Sequence, residues 1–187
     1  VLGQLRLELG KQLNLYDPNQ YNFLWVTEFP LLEWSDEENR FMAMHHPFTA
    51  PMDECLEYIE TDKAKVRAKA YDLVLNGIEM SSGSIRITNP ELQGRIFDLL
   101  GLTKEEAQEK FGYLLDAFRY GAPPHGGMGI GLDRLCMQML RASSLRDVVA
   151  YPKVQNASEP MTECPAAVDG VQLQDLGIGI LTAKDGE

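Results

Sequence analysis

From Tyr71 to Ile87 the chain reads YDLVLNGIEMSSGSIRI, two β-prone apolar runs on either side of Asn76-Gly77. Asn-Gly between such runs is the strongest short-range hairpin signal, because both central positions of the tight turn need a positive φ. A two-residue turn also fixes the register: Leu75 faces Ile78, Val74 faces Glu79 and Asp72 faces Ser81. Opposed residues share a face and alternate residues return to it. Asp72, Val74, Glu79 and Ser81 should therefore point one way, with Asp72 and Glu79 as diagonal neighbours roughly 7–8 Å apart at Cα.

Two converging carboxylates repel unless a cation lies between them. Mg²⁺ is typically held by one or two carboxylates together with substrate phosphates. Spacing alone leaves a second explanation open, that both acids project from a solvated sheet face. Arg86 stands seven residues beyond Glu79, on the opposite face of an unbroken strand. Ser82-Gly83-Ser84 offers a place for a β-bulge, and glycine inside a strand often marks one. A single bulge would turn Arg86 onto the face of the acids.

A second constraint is GGMGIGLDR over residues 126–134. Gly127, Gly129 and Gly131 alternate with Met128 and Ile130, so one face of this strand carries no side chains. A flat ring such as adenine could lie on it, and close packing against a helix would account for it equally. Arg134 falls in the first turn of the following helix, where free N–H groups and partial positive charge suit phosphate. Its guanidinium adds a planar, permanently charged donor. The stretch is neither a P-loop nor a GxGxxG fingerprint. His45-His46 before Pro47 is consistent with structural or catalytic use. Lys63, Lys65, Arg67 and Lys69 alternate with small apolar residues and would form one solvated basic strand face. Trp25, Trp34 and the methionines of 135–140 read as core or interface.

The rest of the chain mixes strands and helices without a βαβ rhythm, which favours α+β with an antiparallel sheet. Residues 1–15 form an amphipathic helix, FLWVTEFPLLEW a strand broken at Pro30 and SDEENR an acidic polar loop, and FMAMHHPFTAP leads into irregular structure at Pro47 and Pro51. Residues 53–60 are a short helix, and VRAKAYDLVL is the first hairpin strand. Asn89-Pro90 caps a helix that ends at Gly101. The capping box Thr103–Glu106 opens another, to about Tyr120. A strand at 127–131, helices at LDRLCMQMLR and SSLRDVVAYPK, and a loop-rich tail with a short helix near 171–176 complete the expectation.

The chain's 17 basic and 28 acidic residues give a net charge of −11, which argues against a general nucleic-acid-binding surface. Cys55, Cys136 and Cys164 are odd in number and lack metal-like spacing, as expected of inert thiols in a reducing compartment. No apolar run approaches the ~20 residues of a membrane helix. The opening VLGQLRLELG carries neither a signal pattern nor an initiator Met, so the expectation is a piece of a longer or processed protein.

HHPFTAP, YDLVLNGIEMSSGSIRI, KFGYLLDAFRYGAPPHGG and GLDRL…LRDVVAYPK occur in that order, and from about Leu24 to Cys164 the chain resembles the C-terminal part of the catalytic domain of a bacterial-type aspartyl-tRNA synthetase. The resemblance implies a class II antiparallel sheet flanked by helices over 23–187, with 1–22 ending an inserted bacterial domain. It implies ATP- and Mg²⁺-dependent activation of L-aspartate and transfer to tRNA(Asp), in the cytoplasm, by a parent homodimer. GIGLDR resembles the third class II motif, which places Arg134 on the γ-phosphate of ATP with Gly131, Leu132 and Asp133 nearby. Glu79 would bind ATP and metal, and Asp72 would share the metal. Arg86 would pair with the aspartate side chain, beside His45, His46, Ser81 and Gly83. Arg134, Glu79 and Arg86 are thus the catalytic set. Many members carry Gly-Gly-Gly-Ser where this chain has Ser81-Ser82-Gly83-Ser84. The first two class II motifs and the anticodon-binding barrel are absent, so the isolated chain is expected to be inactive. Asparaginyl- or lysyl-tRNA synthetases, an asparagine-forming amide ligase and a non-catalytic binding module remain as alternatives.

Overall fold

The computed structural model describes residues 2–17 and 19–180, and its contacts divide the chain into two compact units, Val1–Leu135 and Cys136–Glu187. The first unit begins with α1 (Leu2–Gln12), no residue of which is buried. β1 (Phe23–Thr27), β2 (Leu32–Ser35) and β3 (Arg40–Ala43) follow, then β4 (Ala70–Leu75) and β5 (Ile78–Ile85). After α2 (Pro90–Leu99) and α3 (Lys104–Arg119) come β6 (Gly126–Ile130) and α4 (Leu132–Leu140). The second unit's other helix is α5 (Gly170–Asp175). β1, β4, β5 and β6 form one antiparallel sheet in the order β1-β4-β5-β6, the α+β arrangement expected from the sequence.

Asn76 and Gly77 both adopt positive φ, 49° and 82°, as a tight primed turn requires. The asparagine does more than turn the chain. Its Oδ1 accepts from the Asn22 N–H at 2.9 Å and its Nδ2 donates to the Gln20 carbonyl at 2.9 Å, tying the approach to β1 onto the hairpin. Leu75 faces Ile78 and Val74 faces Glu79. The register then slips, so that Leu73 faces Ser81 and Asp72 faces Ser82 rather than Ser81. The bulge therefore lies at Met80, earlier than the glycine at 83 suggested. Met80 is the extra residue, unpaired with β4, and it and Ser81 are both buried, at 4% and 3% exposure.

Other expectations change for similar reasons. Arg40–Ala43 is a strand not expected from the sequence: Asn39 turns at φ 50° and Phe41 meets Trp34 edge-on at 5.3 Å. The first hairpin strand begins only at Ala70. Ahead of it Lys63–Lys65 form a 3-10 turn, and Val66 and Ala68 are buried in the core. The alternating lysines thus never share a strand face, and Lys65 and Lys69 pair with Asp62 and Asp53. SSLRDVVAYPK contains only a 3-10 turn, Leu145–Asp147. Trp25 and Trp34, expected in core or interface, are half exposed, at 53% and 51%, and so do not belong to the core.

The main core gathers Leu31, Ile59, Val66, Ala68, Ile87 and Ile96. α2 begins as expected, with Asn89 Oδ1 accepting from the Glu91 and Leu92 N–H groups. The Thr103–Glu106 capping box is complete. These helices meet through Phe97 and Phe111, stacked at 5.7 Å, and Phe48 stands edge-on to both rings. The loop that carries the two histidines is thereby fastened to the helices.

Candidate active site

The register defines one face of the sheet. Asp72 is opposite Ser82, Val74 opposite Glu79, Ser82 opposite Gly129 and Ser84 opposite Gly127. Opposed residues share a face, so both carboxylates and the glycine ribbon lie on the same side. The bulge also gives Arg86 the parity of Ser82 and Ser84, which turns it toward that side. Its N–H donates to the His125 carbonyl at 3.0 Å, and it bridges to Thr49 across the strand end.

A cavity of about 510 Å³ opens here, with His45, His46, Arg86 and His125 on its wall beside Gly83, Gly127 and Gly129. The Arg86 Nη1 lies 3.0 Å from the His46 Nδ1 and closely approaches the Nε2 edge of the ring as well. Partial burial, then the Arg86 charge, then His45 hold the His46 pKa below its ordinary 6.5. His45 is exposed and packs edge-on against Phe29 at 5.3 Å. Ser81 is not brought to the cavity. It faces Leu73 and Ile130 on the reverse side, buried, with its hydroxyl unpartnered.

His125 went unnoticed in the sequence, although the PPHGG break just before the glycine strand was visible. Its Nδ1 donates to the Pro123 carbonyl at 2.8 Å, and Phe118 meets the ring edge-on at 5.7 Å. A carbonyl only accepts, so the bond fixes a proton on Nδ1 and turns Nε2 away from it.

Arg134 lies in the first turn of α4, two residues beyond Leu132 and one beyond Asp133. Its Nη1 donates to the Glu79 carbonyl at 2.6 Å and approaches the Glu79 carboxylate at 3.4 Å. The Gly131 N–H donates to the Met80 carbonyl at 2.9 Å, so α4 starts directly over the bulge. Asp72 is half buried and its Oδ1 has no hydrogen-bond partner. Among the described residues no group of three or more His, Cys, Asp or Glu could hold a metal.

The glycines separate into two kinds. A Cβ on Gly83 would lie 2.0 Å from the Gly127 carbonyl oxygen, and one on Gly126 would lie 2.9 Å from the Ser84 oxygen, so these two serve strand packing. A Cβ on Gly127 or Gly129 would meet nothing within 4 Å. Packing among the described residues therefore does not explain the bare face of the ribbon.

A family model for class II tRNA synthetases (D, K and N) matches residues 4–155. The chain belongs to this family. It is 59% identical over 187 residues to an aspartate–tRNA ligase of Agathobacter rectalis, covering all of this chain and 31% of that protein. It is 59% identical over 180 residues to an aspartate–tRNA(Asp/Asn) ligase of Lachnoclostridium phytofermentans, covering 96% of this chain and 30% of that protein. The solved aspartyl tRNA synthetase of Entamoeba histolytica shares the fold at a TM-score of 0.56 and 24% identity, over 82% of this chain and 26% of that one. The chain thus spans about 30% of the length of the class II ligases it matches. Its antiparallel sheet with flanking helices is the class II arrangement.

Proposed function

We propose that this chain is the C-terminal part of an aspartate–tRNA ligase catalytic domain, acting within a longer enzyme in the ATP-dependent formation of aspartyl-adenylate and its transfer to tRNA(Asp). Residues 1–22 would then be the end of an inserted domain. The observation that supports this reading most is the single sheet face shared by Arg86, Glu79, Asp72 and the open glycines at 127 and 129.

Attack of the aspartate α-carboxylate on the α-phosphorus of ATP brings anions together and expels pyrophosphate. Such a step needs positioning and charge neutralisation rather than a protein nucleophile. Arg86 would clamp the substrate side-chain carboxylate, for which a guanidinium offers a matched pair of donors. The amide of asparagine supplies no negative charge to that clamp. His45, Gly83 and the ribbon shape the cavity around it. Arg134 would leave Glu79 to hold the γ-phosphate and then the departing pyrophosphate, with Gly131 to Asp133 bordering the same end. The unpartnered Asp72 oxygen and the Glu79 carboxylate on the same face suit a hard divalent cation. Mg²⁺ held there would neutralise phosphate oxygens.

The parent enzyme would be a cytoplasmic homodimer; no described helix is long and apolar enough to cross a membrane. Whether the parent charges tRNA(Asn) as well is an outcome of assay with both tRNAs. The test of the central claim is aspartate-dependent ATP–pyrophosphate exchange by the full-length protein. Arg86→Ala should abolish it, and undiminished exchange would refute the assignment. Exchange driven by asparagine or lysine would transfer the chain to a sister enzyme. Residues 1–187 alone should give no exchange.

A further inference from the structure

The specificity arginine is itself held. The Arg86 guanidinium meets His46 forty residues away, and His46 sits in a segment anchored from behind by α2. Gln93 on α2, 4% exposed, donates its Nε2 to the Pro47 carbonyl at 2.8 Å. The Phe48 ring stands against Phe97 and Phe111, and the Phe48 carbonyl accepts from the Ile87 N–H at 2.9 Å. Four residues, His46 to Thr49, therefore lie between a rigid helical pair and the arginine.

The donors around His46 set its form. The Phe48 N–H donates to Nδ1 at 3.2 Å, and the Arg86 guanidinium approaches both ring nitrogens. The Thr49 hydroxyl lies 3.4 Å from each. A doubly protonated ring would present N–H to every one of these donors, whereas the neutral ring, its one lone pair on Nδ1, accepts there from the Phe48 N–H and the Arg86 guanidinium.

Within the reading of the site given above, we propose that His46 is a positioning residue for Arg86: its neutral ring accepts from the guanidinium and aims it into the cavity, while the buried Gln93 holds the turn that carries His46. His46 thus acts through Arg86, and His45 is the histidine left to touch substrate. The charged and titratable groups that face His46 are Arg86 from the end of β5 and His45 from its own segment, with His125 across the same cavity.

The test uses the full-length protein, with aspartate and ATP varied separately in pyrophosphate exchange and melting temperatures recorded. His46→Phe keeps the shape and removes the acceptor; it should raise the aspartate KM about tenfold, the size of one lost charged hydrogen bond, with the ATP KM within about twofold. His46→Gln restores an acceptor oxygen and should recover most of that loss. Gln93→Leu, remote from any substrate, should raise the aspartate KM alone. In the wild type the aspartate KM should climb as pH falls from 7 to about 5.5, as the lone pair is lost, and His46→Gln should flatten that climb. Equal aspartate KM values for His46→Phe and wild type, or a His46→Gln no better than His46→Phe, would overturn the proposal. If His46→Phe does not fold, His46→Gln in the pH profile and Gln93→Leu decide alone. Loss of exchange in Arg86→Ala alongside a silent His46→Phe would sink only the positioning role. A silent Arg86→Ala would sink the functional reading beneath it.

Discussion

Gly83 and Gly129 stand on adjacent strands and serve different ends. Alanine at 83 would drive its Cβ into the backbone of β6, whose carbonyl cannot step aside as a flexible side chain could. Gly83→Ala should cost about 1–3 kcal/mol of stability, the usual range for overpacking, read as a lower urea midpoint. Gly129→Ala meets open space and should be neutral or stabilising by about 0.5–1 kcal/mol, since glycine weakens a strand interior. The same substitution should weaken ATP binding by the full-length protein; unchanged affinity would remove the nucleotide from the ribbon. His46 adds a pH dependence of folding. Its folded pKa lies below 6.5, so between those two values the unfolded chain binds more protons. Stability should be fully present above pH 6.5, fall as pH drops toward the folded pKa, and level off beneath it. Melting curves from pH 7.5 to 5.5 should show a smaller loss in His46→Gln than in wild type.

At the scale of the element, the β4–β5 hairpin was legible because its turn chemistry is local. Asn-Gly requires no distant partner to favour positive φ. The two hydrogen bonds from the Asn76 side chain to residues 20–22 were not legible, since 54 and 56 residues separate the partners. Asn76→Gly keeps the turn and loses both bonds, so it should cost about 1–3 kcal/mol while leaving the circular dichroism spectrum unchanged. The capping box of α3 is equally local and was read correctly. Thr103→Ala should cost about 1 kcal/mol, visible in thermal unfolding.

At the scale of the molecule, the two edge strands of the main sheet carry exposed apolar side chains on its reverse side. Phe23, Trp25, Met128 and Ile130 alternate with the glycine face and stand 62%, 53%, 42% and 61% exposed. Exposed apolar side chains clustered on a sheet edge mark an interaction surface or an aggregation liability. Residues 1–187 expressed alone should therefore self-associate in sedimentation, and Trp25→Asp with Ile130→Lys should shift them toward monomer. The −11 charge opposes association generally, which makes salt dependence a useful second readout: added salt should strengthen the association.

The sequence by itself determined what short-range chemistry can specify: the turn at 76–77, the alternation that puts Asp72 and Glu79 on one side, the bare ribbon at 127–129 and the caps of α2 and α3. Tertiary contacts decided the rest. The bulge falls at Met80, and that one-residue shift turns Arg86 toward the acids and Ser81 away. The pairing of Arg86 with His46, the placement of His125 and the contact of Arg134 with Glu79 join residues 39 to 55 positions apart. No local propensity encodes such meetings; they follow from strand register and from helices packed behind the strands.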